Sequence, residues 1–229
     1  MGCCFSSRSE DEEREPLLQS KNQNQPESAR SRPTANDTRQ KTGSFTARHV
    51  DVPDLDLRFK DVAETFNKQQ ENYKQMKEML RCISHRYQLS TNDSLSQCLK
   101  KMKEEHDQPY ISLEVKGYDF TLVVRSEAEI PDRLKRTQED ITELSKAAKG
   151  VMSVGTKLQE MIDSLLQAEE GITRQVEEAQ SSHQERKRLV DNLKENLREA
   201  KRAKELSPKY RNEAGDLLKE VAQLSGITP

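Results

Sequence analysis

The spacing of apolar positions along the chain changes from three-and-four to two and back again. Phe59, Val62, Phe66, Gln69, Tyr73, Met76, Leu80, Ile83 and Tyr87 recur in alternating steps of three and four, the spacing that lines one stripe of a helix. "STNDS" at 90–94 then offers several N-cap candidates, and Leu95, Leu99 and Met102 carry helical spacing on to about 107. Residues 53–107 are therefore expected to form amphipathic helices. The period next falls to two. "YISLEVKGYDFTLVVR", 110–125, alternates Ile111, Leu113 and Val115, then Tyr118, Phe120, Leu122 and Val124, on either side of Lys116–Gly117. That pattern predicts a β-hairpin, and an isolated hairpin is marginal in water, so it has to lean on the helices or on a partner.

Pro131 sits where a first helical turn tolerates proline, and from Leu134 one heptad register runs on. One seam holds Leu134, Ile141, Ile162, Val176, Val190 and Leu197, with Gly155, Glu169 and His183 among them; the other holds Leu144, Val151, Leu158, Leu165, Ile172 and Leu193, with Arg186 among them. The register predicts a single coiled-coil helix over 131–206, on the order of 110 Å long. Gly150, Gly155 and Gly171 fall inside it and each weakens a helix by about 1 kcal/mol relative to alanine. They are expected to mark bends or places where another helix comes close. Ser207–Pro208 resembles an N-cap with a first-turn proline, which predicts a new, short helix over 208–225 carrying Tyr210, Ala214, Leu217, Val221 and Leu224.

The first fifty residues show no such periodicity. Pro16, Pro26 and Pro33 are scattered among Gln, Ser, Asn, Arg and Thr, a composition that predicts a disordered linker over 19–50 behind an N-terminal segment, 1–18. Composition supports the division. Hydrophobic residues are 32% of the chain, aromatics 4%, tryptophan is absent and charged residues are 34%, with a mean hydropathy of −1.00. Too little apolar surface exists for a wide core, whereas a coiled coil needs only a narrow seam. The fold class expected is mainly α: a disordered N-terminal tether, a helical coiled coil with one β-hairpin, and a long C-terminal helix.

A net charge of −2 gives no reason to expect nucleic acid as a partner. Cys3, Cys4, Cys82 and Cys98 form no CxxC pair, and neither a secretory signal nor a spanning apolar run is present, so a cytosol-facing protein with reduced thiols is expected. "GVMSVGTK", 150–157, imitates a phosphate-binding loop, but Thr156 and Lys157 stand in the wrong order and no strand precedes them. His49, His85, His106 and His183 fit no metal-ligand or triad spacing. No catalytic residue, metal or cofactor is therefore expected. "QERKRLVDNLKENLREAKRAK", 184–204, carries eight Lys/Arg and four acids and reads as a solvated helical exterior laced with ion pairs.

The chemistry concentrates in the first eighteen residues. "MGCCFS" fits the pattern M-G-x-x-x-[ST], in which loss of Met1 exposes Gly2 for myristoylation and Ser6 fills the selected position. One myristoyl chain binds membranes only marginally, and Cys3 and Cys4 stand ready to supply palmitate as the second signal. The acids that follow oppose a polybasic mechanism, which favours acylation. In "EREPLL", Glu13 and Leu17–Leu18 match the acidic dileucine pattern read by clathrin adaptors.

"MGCCFSSRSEDEEREPLL" resembles the acylated start of the lysosomal Ragulator scaffold subunit, over those eighteen residues and no further. The resemblance implies attachment to late-endosomal or lysosomal membrane through Gly2, Cys3 and Cys4, and implies nothing about GTPase regulation. The helix–hairpin–helix order is similar to that of prefoldin subunits and of subunits of lysosome-positioning complexes, which implies membership of a multi-subunit assembly. The function expected is a non-enzymatic, lipid-anchored adaptor or scaffold on the cytosolic face of late endosomes or lysosomes, with the plasma membrane as a second location. Its helical seams are expected to recruit helical protein partners or to build a homo-oligomer. The alternative is a SNARE-like or ESCRT-III-like component of membrane fusion or remodelling, in which Gln69 or Arg186 would serve as the polar layer of a helical assembly.

Overall fold

The computed structural model describes residues 43–90, 94–106, 110–127, 129–179 and 182–226. In chain order these form α1 (Pro53–Arg86), α2 (Leu95–His106), β1 (Ile111–Lys116), β2 (Asp119–Val124), α3 (Asp132–Gln167), α4 (Glu169–Ala179) and α5 (His183–Leu224). Gly43–Pro229 make one compact unit.

Local chemistry explains most of the boundaries. Helix α1 opens with Pro53 after an extended Val52, places Asp54 and Asp56 in its first turn and closes with His85 and Arg86, which matches charge to the helix dipole at both ends. At the start of α2, Ser94 Oγ accepts from the Gln97 N–H at 3.3 Å while Gln97 Oε1 accepts from the Ser94 N–H at 2.7 Å. This reciprocal capping box selects one residue from the candidate run at 90–94. The hairpin pairs Ile111 with Val124 through to Lys116 with Asp119. Gly117, with φ +63°, takes the first of the two turn positions, where a type II′ turn requires glycine. It leans on α3: Ser145 Oγ accepts from the Phe120 N–H at 2.8 Å, and Gln138 Nε2 donates to the Leu122 carbonyl at 3.0 Å.

Helices α1, α3 and α5 form an up-down-up bundle. Cross-links descend α3 as they climb α1, from Arg58–Ser164 through Gln69–Val151 to Arg86–Thr137. Tyr73–Glu213 and Ser96–Glu220 climb α5 in step with α1 and the segment after it. Phe59, Val62, Phe66, Ile83, Leu144, Leu158, Ile162, Leu165, Ile172, Val176, Leu193 and Leu197 are buried between these helices, and Leu80 is half-buried. The coiled-coil seams are thus covered by the chain's own helices.

Two expectations about helix continuity need correction. The helix expected over 131–206 is interrupted at Ala168 and again before His183, and α5 runs back antiparallel along α3, with Lys204 on Asp163 at 2.7 Å and Lys201 on Glu169 at 2.9 Å. The heptad count carried through Glu169, His183 and Arg186, positions without an apolar side chain to hold a seam, and folding back buries Leu189 instead. The second break, expected at Ser207–Pro208, does not occur, because Pro208 lies inside α5. Proline in a helix interior costs about 3 kcal/mol in isolation. Here Pro208 and Lys204, whose carbonyl loses its donor, both face solvent, while Ser207 stays packed inward. Tertiary burial on either side, at Ala203 and Ala214, holds the helix straight through.

Candidate functional site: the docked strap and the polar waist

Residues 43–50 were expected to belong to the linker, yet they are an ordered strap across α1 and α5. Phe45 and Val50 are fully buried against the bundle. Between them the backbone is held by side chains. Asn67 of α1 takes both polar groups of one residue, accepting from the Phe45 N–H at 2.7 Å and donating to the Phe45 carbonyl at 2.8 Å. Asn196 of α5 does the same for Arg48, at 2.8 and 2.7 Å. Asn192 donates to the His49 carbonyl at 2.8 Å, Arg202 donates to the Gly43 carbonyl at 2.9 Å, and Asp56 Oδ1 accepts from the Val50 N–H at 2.7 Å. A carboxamide carries one donor and one acceptor face side by side, so it matches the N–H and C=O of a single residue whatever its side chain.

Among the strap's own side chains, Arg48 reaches Glu195 at 3.7 Å and His49 Nδ1 lies 2.7 Å from Asp56 Oδ2, both from exposed positions. The strap reverses into α1 through Asp51, which takes a left-handed φ of +60°. The sequence signal for this strap is the pair of apolar residues Phe45 and Val50 in mostly polar surroundings, together with Asn67 and Asn196 close to helix stripes that are mostly apolar.

The second feature is a polar waist. The buried apolar side chains fall into two clusters: one runs from Met76 to Tyr87 on α1 with α2, the hairpin, the first half of α3 and Ala214 to Val221 of α5. The other joins Leu55 to Phe66, Leu158 to Leu165, α4, Leu189 to Ala203 and the strap. Between them lie Gln69 and Ser207, both fully buried, with Gln70, Tyr210 and Arg211 beside them. Gln69 Nε2 donates to the Val151 carbonyl at 3.2 Å, while Gln69 Oε1, Ser207 Oγ and Arg211 Nε are buried with no protein partner.

Gly155 admits the Arg211 side chain and Gly150 admits Asn72, in each case where a Cβ would collide. Two of the three glycines expected to mark bends or close approach therefore mark close approach, and nothing crowds Gly171. Tyr210 crosses the waist, stacking on Tyr73 at 4.2 Å and on Phe66 at 6.3 Å. The Tyr73 hydroxyl donates to the Glu213 carboxylate at 2.9 Å, and burial together with that carboxylate pushes the phenol up to about 12. The stability it contributes is complete below the ordinary phenol value of about 10 and is lost as pH rises through about 12.

Of the residues singled out in the sequence, the structure places the seam side chains in the bundle interior and leaves His183 and Arg186 exposed. Gln69, a candidate layer residue for a foreign bundle, is spent inside this one. Gly2, Cys3, Cys4, Glu13, Leu17 and Leu18 lie outside the described residues. The basic stretch 184–204 is paired along and across helices, as in Arg202–Glu199 at 2.6 Å and Arg198–Glu195 at 2.5 Å. Cys98 is buried beside Ser84, and burial, with Glu78 and Asp140 nearby, raises the Cys82 thiol above its usual value.

Among the described residues no His, Cys, Asp or Glu are grouped to hold a metal ion, and no helix is long and apolar enough to cross a membrane. Comparison with protein-family models, with curated proteins and with solved structures finds no match to this chain.

Proposed function

We propose that the chain is a non-enzymatic, lipid-anchored scaffold whose helical bundle is held at the cytosolic face of late endosomes or lysosomes. The observation that carries this reading is the run Gly2, Cys3, Cys4 with Ser6: an acceptor for myristate followed at once by two thiols for palmitate. Glu13 with Leu17–Leu18 supplies the sorting signal for a clathrin adaptor.

The bundle supports the scaffold half of the reading through its surface. Arg58, Asp61, Glu64, Lys157 and Glu160 put both signs of charge around a hollow of about 550 Å³ between α1 and α3, which Val62, Met161 and Leu165 also line. Because the seams are filled from within, protein partners meet the outer faces, which are polar and suit reversible contacts.

The experiment is localisation of the full chain in cells. Gly2→Ala is expected to move the protein from membrane to cytosol, and persistent membrane binding of that variant would overturn the anchor. Leu17→Ala with Leu18→Ala is expected to leave it membrane-bound and shift it from lysosomes to the plasma membrane; an unchanged distribution would overturn the sorting signal.

A further inference from the structure

The way the strap is held points beyond a simple packing role. Asn67, Asn192, Asn196, Arg202 and Asp56 Oδ1 hold residues 43–50 by hydrogen bonds to strap backbone, at Gly43, Phe45, Arg48, His49 and Val50, and the exposed side chains of Arg48 and His49 add ion-pair contacts to Glu195 and to Asp56 Oδ2. Sequence enters through two anchors, Phe45 and Val50, both buried. Thr46, Arg48 and His49 between them face solvent. This is how proteins hold extended peptides: main-chain bonds supply affinity and a few pockets supply selection. Covalent attachment is short, through Asp51 and Val52, and Asp51 sits at φ +60°, a conformation that costs a non-glycine residue on the order of 1 kcal/mol. Releasing the strap relieves that strain and leaves a walled groove, with its amides and its two apolar pockets, open between α1 and α5.

We propose that the groove between α1 and α5 is a peptide-binding site, closed in cis by residues 43–50, which in trans takes an extended partner segment bearing an aromatic residue and, five positions on, a β-branched aliphatic one. The reading does not rest on acylation. Val50 is held by Asp56 at the start of α1 and Phe45 by Asn67 about three turns along it, so the docked strap covers roughly 16 Å of the helix, from its end toward its waist.

The test uses the full chain and a labelled peptide of residues 41–52. The double variant Phe45→Asp, Val50→Asp empties the groove without altering its walls. The peptide is expected to bind this variant saturably by fluorescence anisotropy, and to bind wild type about 10- to 100-fold more weakly, the reduction set by a strap docked in roughly 90–99% of molecules. Adding Asn67→Leu and Asn196→Leu to the double variant is expected to abolish binding. Failure of the peptide to bind a double variant whose circular dichroism and melting show a folded bundle would overturn the site, and so would binding that survives loss of both asparagines. A stable wild-type dimer in light scattering that disappears in the double variant would overturn the partner segment as occupant and put a second copy's strap in its place.

Discussion

The two ends of the bundle are finished in opposite ways. At the end where α1 stops, α2 and the β-hairpin close the core with elements that satisfy their own main chain. On the outer edge of β2 the Phe120 N–H donates to Ser145 and the Leu122 carbonyl accepts from Gln138. Tyr87 seals this end, fully buried, with Arg133 over its ring at 4.5 Å and its hydroxyl 3.3 Å from Thr137. At the other end α4 turns the chain back, and the remaining gap is covered by a strap with no secondary structure, whose backbone depends on side-chain amides. A hydrogen-bonded ladder opens cooperatively, whereas a peptide held by a few side chains can detach while the helices under it stay folded. The two ends therefore differ in how they come apart more than in how tightly they pack.

The largest effects test whether the clusters nevertheless form one folding unit. Phe66→Ala in the strap-side cluster is expected to cost about 3–5 kcal/mol, and Leu144→Ala in the hairpin-side cluster about 2–5 kcal/mol, because both side chains are fully buried. Since α1, α3 and α5 run through both clusters, each variant should lower the midpoint of one urea transition followed by circular dichroism. Two separated transitions would show that the waist divides the bundle into independent halves.

Much of helix α1 and of the hairpin could be read from residue order. The three-and-four spacing of Phe59 to Tyr87 and the period of two around Lys116–Gly117 are local patterns, and local patterns survive folding. What escaped depends on contacts distant in sequence. The heptad count could not register that α5 folds back on α3, since a seam scores the same whether its partner lies ahead in the chain or behind. Pro208 reads as a helix start because the burial that overrides it comes from neighbouring helices. The strap has no local signature because its hydrogen bonds are made by Asn67 and Asn196, the second of these 148 residues from its partner Arg48. The Gly2–Cys3–Cys4 segment is read from sequence alone.

An intermediate effect isolates the strap-side end. Asn196→Leu keeps the branched outline of the side chain, enlarges it by its two methyl groups, and removes two hydrogen bonds to Arg48, worth about 1–3 kcal/mol together. Hydrogen exchange at the amides of Phe45, Arg48 and Val50 is expected to accelerate by about 10- to 100-fold, while amides of α3 facing the hairpin keep their rates. Equal acceleration at both ends would mean that the strap leaves only when the whole bundle unfolds, and the contrast between the ends would fail.

The smallest effect concerns the waist against its surroundings. Gly171 lies exposed in the first turn of α4 with nothing near its missing Cβ, so Gly171→Ala gains helix propensity alone and is expected to stabilise by about 0.5 kcal/mol, less than a mid-helix site because the first turn is incompletely bonded. Gly155, in the interior of α3, has about 1 kcal/mol of propensity to gain, but its added methyl meets the Arg211 side chain along Cδ, Nε and Cγ. Arg211 Nε is already buried without a protein partner, and because the methyl meets the stem of the side chain and not its far end, the stem itself has to shift. Overpacking of this kind costs about 1–3 kcal/mol, more than the propensity returns, so Gly155→Ala should lower the melting temperature where Gly171→Ala raises it. If both variants raise it, the close approach of α3 and α5 does not limit packing at the waist, and the division between the two clusters is a matter of residue polarity alone.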